Sequence, residues 1–168
     1  MPQNPGQHIR HAKRRGEWAE LRFQLRASEL GLILARPCGE CAPYDFLVAC
    51  PEAAPTNQNP CPEDGPTNQG ACPERAISDR RACFLRVQVK CTLYKRDNSY
   101  TCSLTANHHL YTPDQIDFFA AYVIPADVFY ILPLAATNHQ PAISLSPHRQ
   151  KSKYAPYKEA WHLLLPEQ

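Results

Sequence analysis

Between Cys83 and Lys90 the chain reads CFLRVQVK, and its polar and apolar positions alternate. Leu85, Val87 and Val89 fall on one side of an extended strand, and Arg86, Gln88 and Lys90 on the other. The β-branched content favours a strand. Upstream, residues 14–30 read as a helix ended by Gly31. At 100° per residue this helix carries two apolar stripes, Trp18-Leu21-Leu25 and Ala19-Phe23-Ala27-Leu30. Two polar stripes separate them, Arg22-Arg26-Glu29 and Glu17-Glu20-Gln24-Ser28. That layout predicts a helix gripped on two sides, with one polar stripe in solvent and the other either solvated too or turned into a cleft.

Further apolar runs predict strands at Leu32–Ala35, at Tyr44–Cys50 with Asp45 near its start, in the later half of Ile116–Ile124, at Val128–Leu134, and at Ala142–Leu145. Leu93–Lys95 and Tyr100–Thr105 flank the polar turn Arg96-Asp97-Asn98 and predict a hairpin. Thr112-Pro113-Asp114-Gln115 has the signature of a helix start, good for a turn or two. Lys158–Leu165 predicts a terminal helix stopped by Pro166. The order of elements indicates an α/β fold, a central mixed β-sheet flanked by helices.

Composition adds limits rather than a function. With 168 residues the chain has room for one core, placed here in residues 14–168 behind a loose basic tail over 1–13. Net charge is +2, too balanced to decide for or against a nucleic-acid partner. The run through Arg14 and Arg15 reads as a solvated terminus or as an arm that faces DNA. No apolar run approaches the roughly 18 residues of a membrane span, and the first residues lack a secretory signal's apolar core, so the expected location is the cytoplasm. Eight cysteines suggest a disulfide or zinc framework, but Cys50, Cys61, Cys72 and Cys83 recur every 11 residues. The unit Cys50-Pro51-Glu52 with Pro55-Thr56-Asn57-Gln58 returns as Cys61-Pro62-Glu63 with Pro66-Thr67-Asn68-Gln69, and in part as Cys72-Pro73-Glu74. These cysteines travel with a tandem duplication. Cys38 and Cys41 form one CxxC, half a zinc site at most. The duplicated segment 51–81 is poor in apolar residues and reads as a flexible insertion between two strands.

Three separated pieces fit one pattern: Gly16-Glu17-Trp18-Ala19-Glu20 on the helix, Tyr44-Asp45 opening a strand, and Gln88-Val89-Lys90 on a later strand. This resembles the PD-(D/E)XK nuclease superfamily, in particular the branch with a QxK third motif that includes intron-encoded homing endonucleases. Asp117-Phe118-Phe119-Ala120 and Val128–Pro133 look similar to the same branch. Two departures stand out: Tyr44 separates Pro43 from Asp45, and Gln88 takes the place of an acidic residue.

The resemblance implies a restriction-endonuclease-like core and a metal-dependent DNA endonuclease, with a non-catalytic DNA-binding protein or a nuclease acting on branched DNA as the alternatives. It implies Glu20, Asp45, Gln88 and Lys90 as catalytic residues. Asp45, Glu20, the Gln88 side-chain oxygen and the Val89 carbonyl would hold Mg²⁺, or Mn²⁺ in its place, since hard cations take oxygen ligands. Lys90 would orient or deprotonate the attacking water, with Glu17 in reserve for Glu20. Arg22, Arg26 and Arg86 would contact the DNA backbone. A homodimer or higher homo-oligomer would bring two sites to the two strands of a duplex.

Overall fold

The computed structural model describes residues 5–39, 41–49 and 84–165. The expected insertion at 51–81 and the four repeat-borne cysteines lie outside them. One long helix, α1 (Ala12–Glu29), precedes ten strands: β1 (Leu34–Ala35), β2 (Phe46–Ala49), β3 (Phe84–Thr92), β4 (Lys95–Arg96), β5 (Ser99–Ser103), β6 (Thr105–Ala106), β7 (His109–Leu110), β8 (Phe118–Val123), β9 (Val128–Pro133) and β10 (Ala142–Leu145). The central sheet runs β1-β2-β3-β8-β9. Its pairs are antiparallel except β3 with β8, so the sheet is mixed, as the order of elements predicts. A second sheet, β10-β5-β4, and the hairpin β6-β7 complete the strands.

The central sheet is buried on both faces, each covered by its own apolar cluster. On one side Ala19, Phe23 and Ala27 of α1 pack on Phe46, Val48, Val87 and Val89, together with Tyr122, Phe129 and Trp161. On the other, Phe119, Ala121, Tyr130 and Leu132 meet Tyr100, Cys102 and Leu145 of the smaller sheet. β8 and β9 sit between the two clusters, which is why their sequences are apolar without alternation. β3 alternates because only its odd-numbered residues face the helix.

Helix α1 ends as its glycine predicts. Gly31 takes φ +76°, its N–H bonds the Ser28 carbonyl at 3.0 Å, and the Leu32 N–H reaches the Ala27 carbonyl at 2.9 Å. This is a Schellman closure, with Leu32 buried beside it. The two-sided grip is found on one side only. Ala19, Phe23 and Ala27 are buried, whereas Leu21 and Leu25 are 56% and 51% exposed. Trp18 is half-buried beneath a short 3₁₀ turn, Pro5–His8, where a Cβ on Gly6 would come within 2.5 Å of the indole nitrogen. Part of the expected tail is therefore packed against the helix.

The turn expected after Tyr111 forms, and the expected terminal helix does not. Thr112–Gln115 makes a single turn, closed by Gln115 N–H to the Thr112 carbonyl (3.0 Å) and Thr112 N–H to Gln115 Oε1 (3.1 Å). The terminal helix is replaced by 3₁₀ turns at Ala155–Tyr157 and Trp161–Leu164. The reason is Glu159, which sits at φ +50° and binds β9 from both its backbone and its side chain. Its N–H donates to the Phe129 carbonyl (2.8 Å), and its carboxylate accepts from Phe129 N–H (2.6 Å) and from Trp161 Nε1–H (2.7 Å). These ties to β9 override the helical pattern of the local sequence.

Candidate active site

The site grows from a mismatch in strand length. β2 begins at Phe46, opposite Val87, while β3 continues past that level to Thr92. In an antiparallel ladder, alternate residues turn both backbone groups to the same neighbour. Val87 and Val89 therefore both turn toward β2. The Val87 carbonyl accepts from Asp45 N–H (3.0 Å), but Val89 lies beyond the end of the neighbouring strand. Its N–H goes instead to Asp45 Oδ2 (2.7 Å), and its carbonyl accepts from Gln88 Nε2 (3.2 Å). Gln88 Nε2 also donates to Asp45 Oδ2 (2.6 Å). A carboxylate oxygen and a backbone carbonyl thus converge on one partially positive amide group.

Burial pushes the Asp45 carboxyl above the usual carboxylate range, although the Val89 N–H and the charges of Lys90 and Arg36 pull the other way. Glu20 reaches toward the same place from α1. Its carboxyl is also raised, first by burial and then by the negative charge of Asp45, against the pull of Arg36. Arg36, in the loop after β1, pairs with Glu20 and stacks its guanidinium over Phe46, 5.2 Å from the ring centroid. Glu17, Glu20, Arg36, Tyr44 and Asp45 line a cleft of about 320 Å³. Gln88 lines a neighbouring cleft of about 360 Å³ with Asn107, His109 and Tyr111.

Lys90 lies two residues past Gln88 on the same face of β3. Its Nζ donates to the Thr105 carbonyl (3.1 Å) and to the Tyr111 hydroxyl (3.0 Å), and sits 5.0 Å from the Tyr111 ring centroid.

The structure therefore brings Asp45, Gln88 and Val89 into direct contact, with Lys90 and Glu20 alongside. Most of the arginines expected to meet DNA have other partners. Arg86 is held in two-pronged fashion by Asp117 (2.8 and 3.0 Å), and its guanidinium also reaches the carbonyls of Pro113 and Asp114. It fastens the start of β8 to β3, and these bonds hold Asp117 below the usual carboxylate range in spite of burial. Arg22 binds Asp127 at 2.9 and 3.0 Å. Arg26 pairs with Glu29 at 3.1 Å on the helix surface. Arg15 caps the carbonyls of Ile9 and Arg10 (3.2 and 2.6 Å), and Arg14 is exposed. Arg36, Thr105 and Tyr111 were not singled out by the sequence. Two lie in loops and one contributes only a backbone oxygen, so no motif marks them.

The donor set fits a hard divalent cation. Among the described residues no three His, Cys, Asp or Glu side chains gather as a metal site. The oxygens at hand are those of two carboxylates, one carbonyl and one amide, the kind of ligand Mg²⁺ takes. Two carboxyls raised by burial, that of Glu20 also by the charge of Asp45, are relieved by a cation. The Gln88 amide already fills the gap between Asp45 and Val89 with its N–H end. A half-turn about the last side-chain torsion would present Oε1 there instead.

Comparison with known proteins bears on the family and the fold. A family model described as PD-(D/E)XK endonuclease matches residues 76–164, more than half of the chain. The chain belongs to this family. Among solved structures, that of a bacterial homing endonuclease, I-Ssp6803I, is similar over 92% of this chain and 91% of that one, with a TM-score of 0.62 and 21% sequence identity. At that identity the likeness is one of fold. No curated protein matches. No helix among the described residues is long and apolar enough to cross a membrane.

Proposed function

We propose that the chain is a metal-dependent DNA endonuclease, homing- or restriction-like, that hydrolyses phosphodiester bonds. The observation that carries this reading is the convergence of Asp45 Oδ2 and the Val89 carbonyl on Gln88, with Lys90 next on the same strand face. Asp45, Glu20, Gln88 Oε1 and the Val89 carbonyl are the groups that would hold Mg²⁺, or Mn²⁺ in its place. When bound, such an ion neutralises charge at the reacting phosphate and makes a coordinated water more acidic. Lys90, with hydrogen bonds to Thr105 and Tyr111 fixing its amine, directs its remaining N–H toward the nucleophile or the phosphate oxygen. Arg36 favours the charged form of Glu20 and holds it in place.

The rest of the proposal concerns setting. The substrate is DNA, cut on both strands by a homo-oligomer, in the cytoplasm where thiols stay reduced. The deciding experiment is relaxation and linearisation of supercoiled plasmid with Mg²⁺ or Mn²⁺. Wild type should cut, chelator should stop it, and Lys90→Ala and Asp45→Asn should each lower the rate by at least about 10²-fold. A wild-type protein that binds duplex but never cuts it would instead favour a DNA-binding role.

A further inference from the structure

The amine of Lys90 is tied to both ends of one small hairpin. Thr105 opens β6 and Tyr111 directly follows β7, with Asn107 and His108 at positive φ (47° and 67°) in the two-residue turn between them. Tyr111 is 7% exposed and packs edge-on against Phe119, with centroids 5.4 Å apart. Phe119 is in turn the register partner of Gln88 on the next strand. The phenol is thus anchored to the strand pair that carries the site. The same hairpin walls the cleft beside Gln88, through Asn107 and His109. A lysine has four rotatable side-chain bonds and a strongly hydrated head, so an amine aimed in one direction needs fixed acceptors. Here one acceptor is a backbone carbonyl and the other a phenol that cannot drift.

We propose that Tyr111 is a positioning residue for DNA cleavage: its hydroxyl, with the Thr105 carbonyl, holds the Lys90 amine toward the reacting phosphate. The proposal rests on the nuclease reading above and deepens it. Tyr111→Phe keeps the ring and its packing on Phe119 and removes only the acceptor. Its kcat should fall about tenfold, the scale of one hydrogen bond to a charged group, with KM for DNA and affinity for Mg²⁺ unchanged. In a double-mutant cycle, adding Tyr111→Phe to Lys90→Ala should cost nothing further. NMR of the Lys90 ammonium gives a readout independent of turnover: a protected signal in wild type, absent through solvent exchange in Tyr111→Phe. An unchanged kcat, an equal loss with and without Lys90, or an ammonium signal that ignores the substitution would each overturn the proposal. A wild type that cuts no DNA would end the role in catalysis and the nuclease reading together. Normal cutting with an indifferent Tyr111→Phe would end only the former.

A second observation stands apart from the site. From Val128 to Lys158 the chain has no acidic residue, and His148, Arg149, Lys151, Lys153 and Lys158 are all exposed. None of them is in an ion pair among the described residues, and His148, Arg149 and Lys158 line a hollow of about 400 Å³. Lys158 bridges Tyr130 at the open side of β9, Tyr130 pairs with Ala121, and Ala121 with Lys90. The backbone of Lys158, at one end of this basic segment, is thus three strand steps, about 14 Å, from that of Lys90, a separation that one duplex spans. We infer that this edge binds the phosphates of the DNA being cut, again on the nuclease reading. Binding of a short duplex to Asp45→Asn protein should be measured at several salt concentrations, with and without Arg149→Gln, Lys151→Gln and Lys153→Gln together. The triple substitution should flatten the slope of log K against log salt by up to about 2.7 units, near 0.9 for each of three phosphates no longer neutralised. An unchanged slope would overturn the inference and leave the nuclease reading standing. Absence of any binding would overturn both.

Discussion

Asp45 carries opposing demands. Its carboxylate must be charged to hold a cation, yet burial holds its carboxyl, and that of Glu20, above their ordinary values of 3.8 and 4.5. A raised carboxyl binds protons more tightly in the folded state than in the unfolded one. Stability from this source is complete below the ordinary values and is lost as pH rises through the raised ones. At pH 7 without metal, Asp45 should therefore cost stability. Asp45→Asn, which keeps an oxygen for Val89 N–H, should raise the melting temperature by about 2–4 °C, the shift expected for about 1 kcal/mol at this size. Calorimetry at pH 7 in the presence of chelator would show it. The advantage should shrink toward pH 4, where wild type becomes protonated. Cleavage should follow the opposite course, failing on acidification at a higher pH than an unperturbed aspartate would give. Gln88→Glu adds charge where the proposed cation would sit and should tighten Mg²⁺ binding about tenfold or more, read by titration calorimetry. Equal affinity in wild type, Gln88→Glu and Asp45→Asn would remove the ion from this place.

Among the elements, the contrast between β9 and the terminal segment shows what a sequence does and does not reveal. β8 and β9 are apolar without interruption because both faces are covered, and such a run is plain to read. The segment after Tyr157 has helical periodicity, but its conformation is decided by Glu159 reaching β9, a tie that no local pattern encodes. Glu159→Ala leaves the Phe129 N–H and the Trp161 indole N–H without their acceptor and should destabilise the fold by about 1–3 kcal/mol. Urea unfolding would measure this, with little change expected in metal affinity. The site divides along the same line. Asp45, Gln88 and Lys90 are legible because their order and spacing survive in one dimension. Arg36 and Tyr111 are not, because each acts through a loop that only the folded sheet brings near. The ion pairs of the arginines escape the sequence for a related reason: charge is visible there, but the partner of Arg86 lies 31 residues away and that of Arg22 lies 105 away.

For the molecule as a whole, the site joins pieces that lie far apart in the chain: α1, the start of β2, the middle of β3 and the hairpin after β5. A cation shared among the first three would act as a staple. Saturating Mg²⁺ at 100 times its dissociation constant should add about 2.7 kcal/mol to wild-type stability, and markedly less to Asp45→Asn. Thermal melts with and without the ion would test the coupling, and equal shifts in both proteins would count against it.

Ala49 stands directly across the ladder from Phe84. Strand partners in such a pair have Cα atoms only about 5 Å apart, a gap that a two-residue turn could close. Closing entropy grows only slowly with the length of a connection. Foreign sequence spliced at this corner, toward the far end of β2 from Asp45, should leave the proposed catalytic groups in place. A fluorescent domain inserted there, with its own termini close together, should report on the protein in a cell while leaving its DNA-cutting rate within about twofold of the parent.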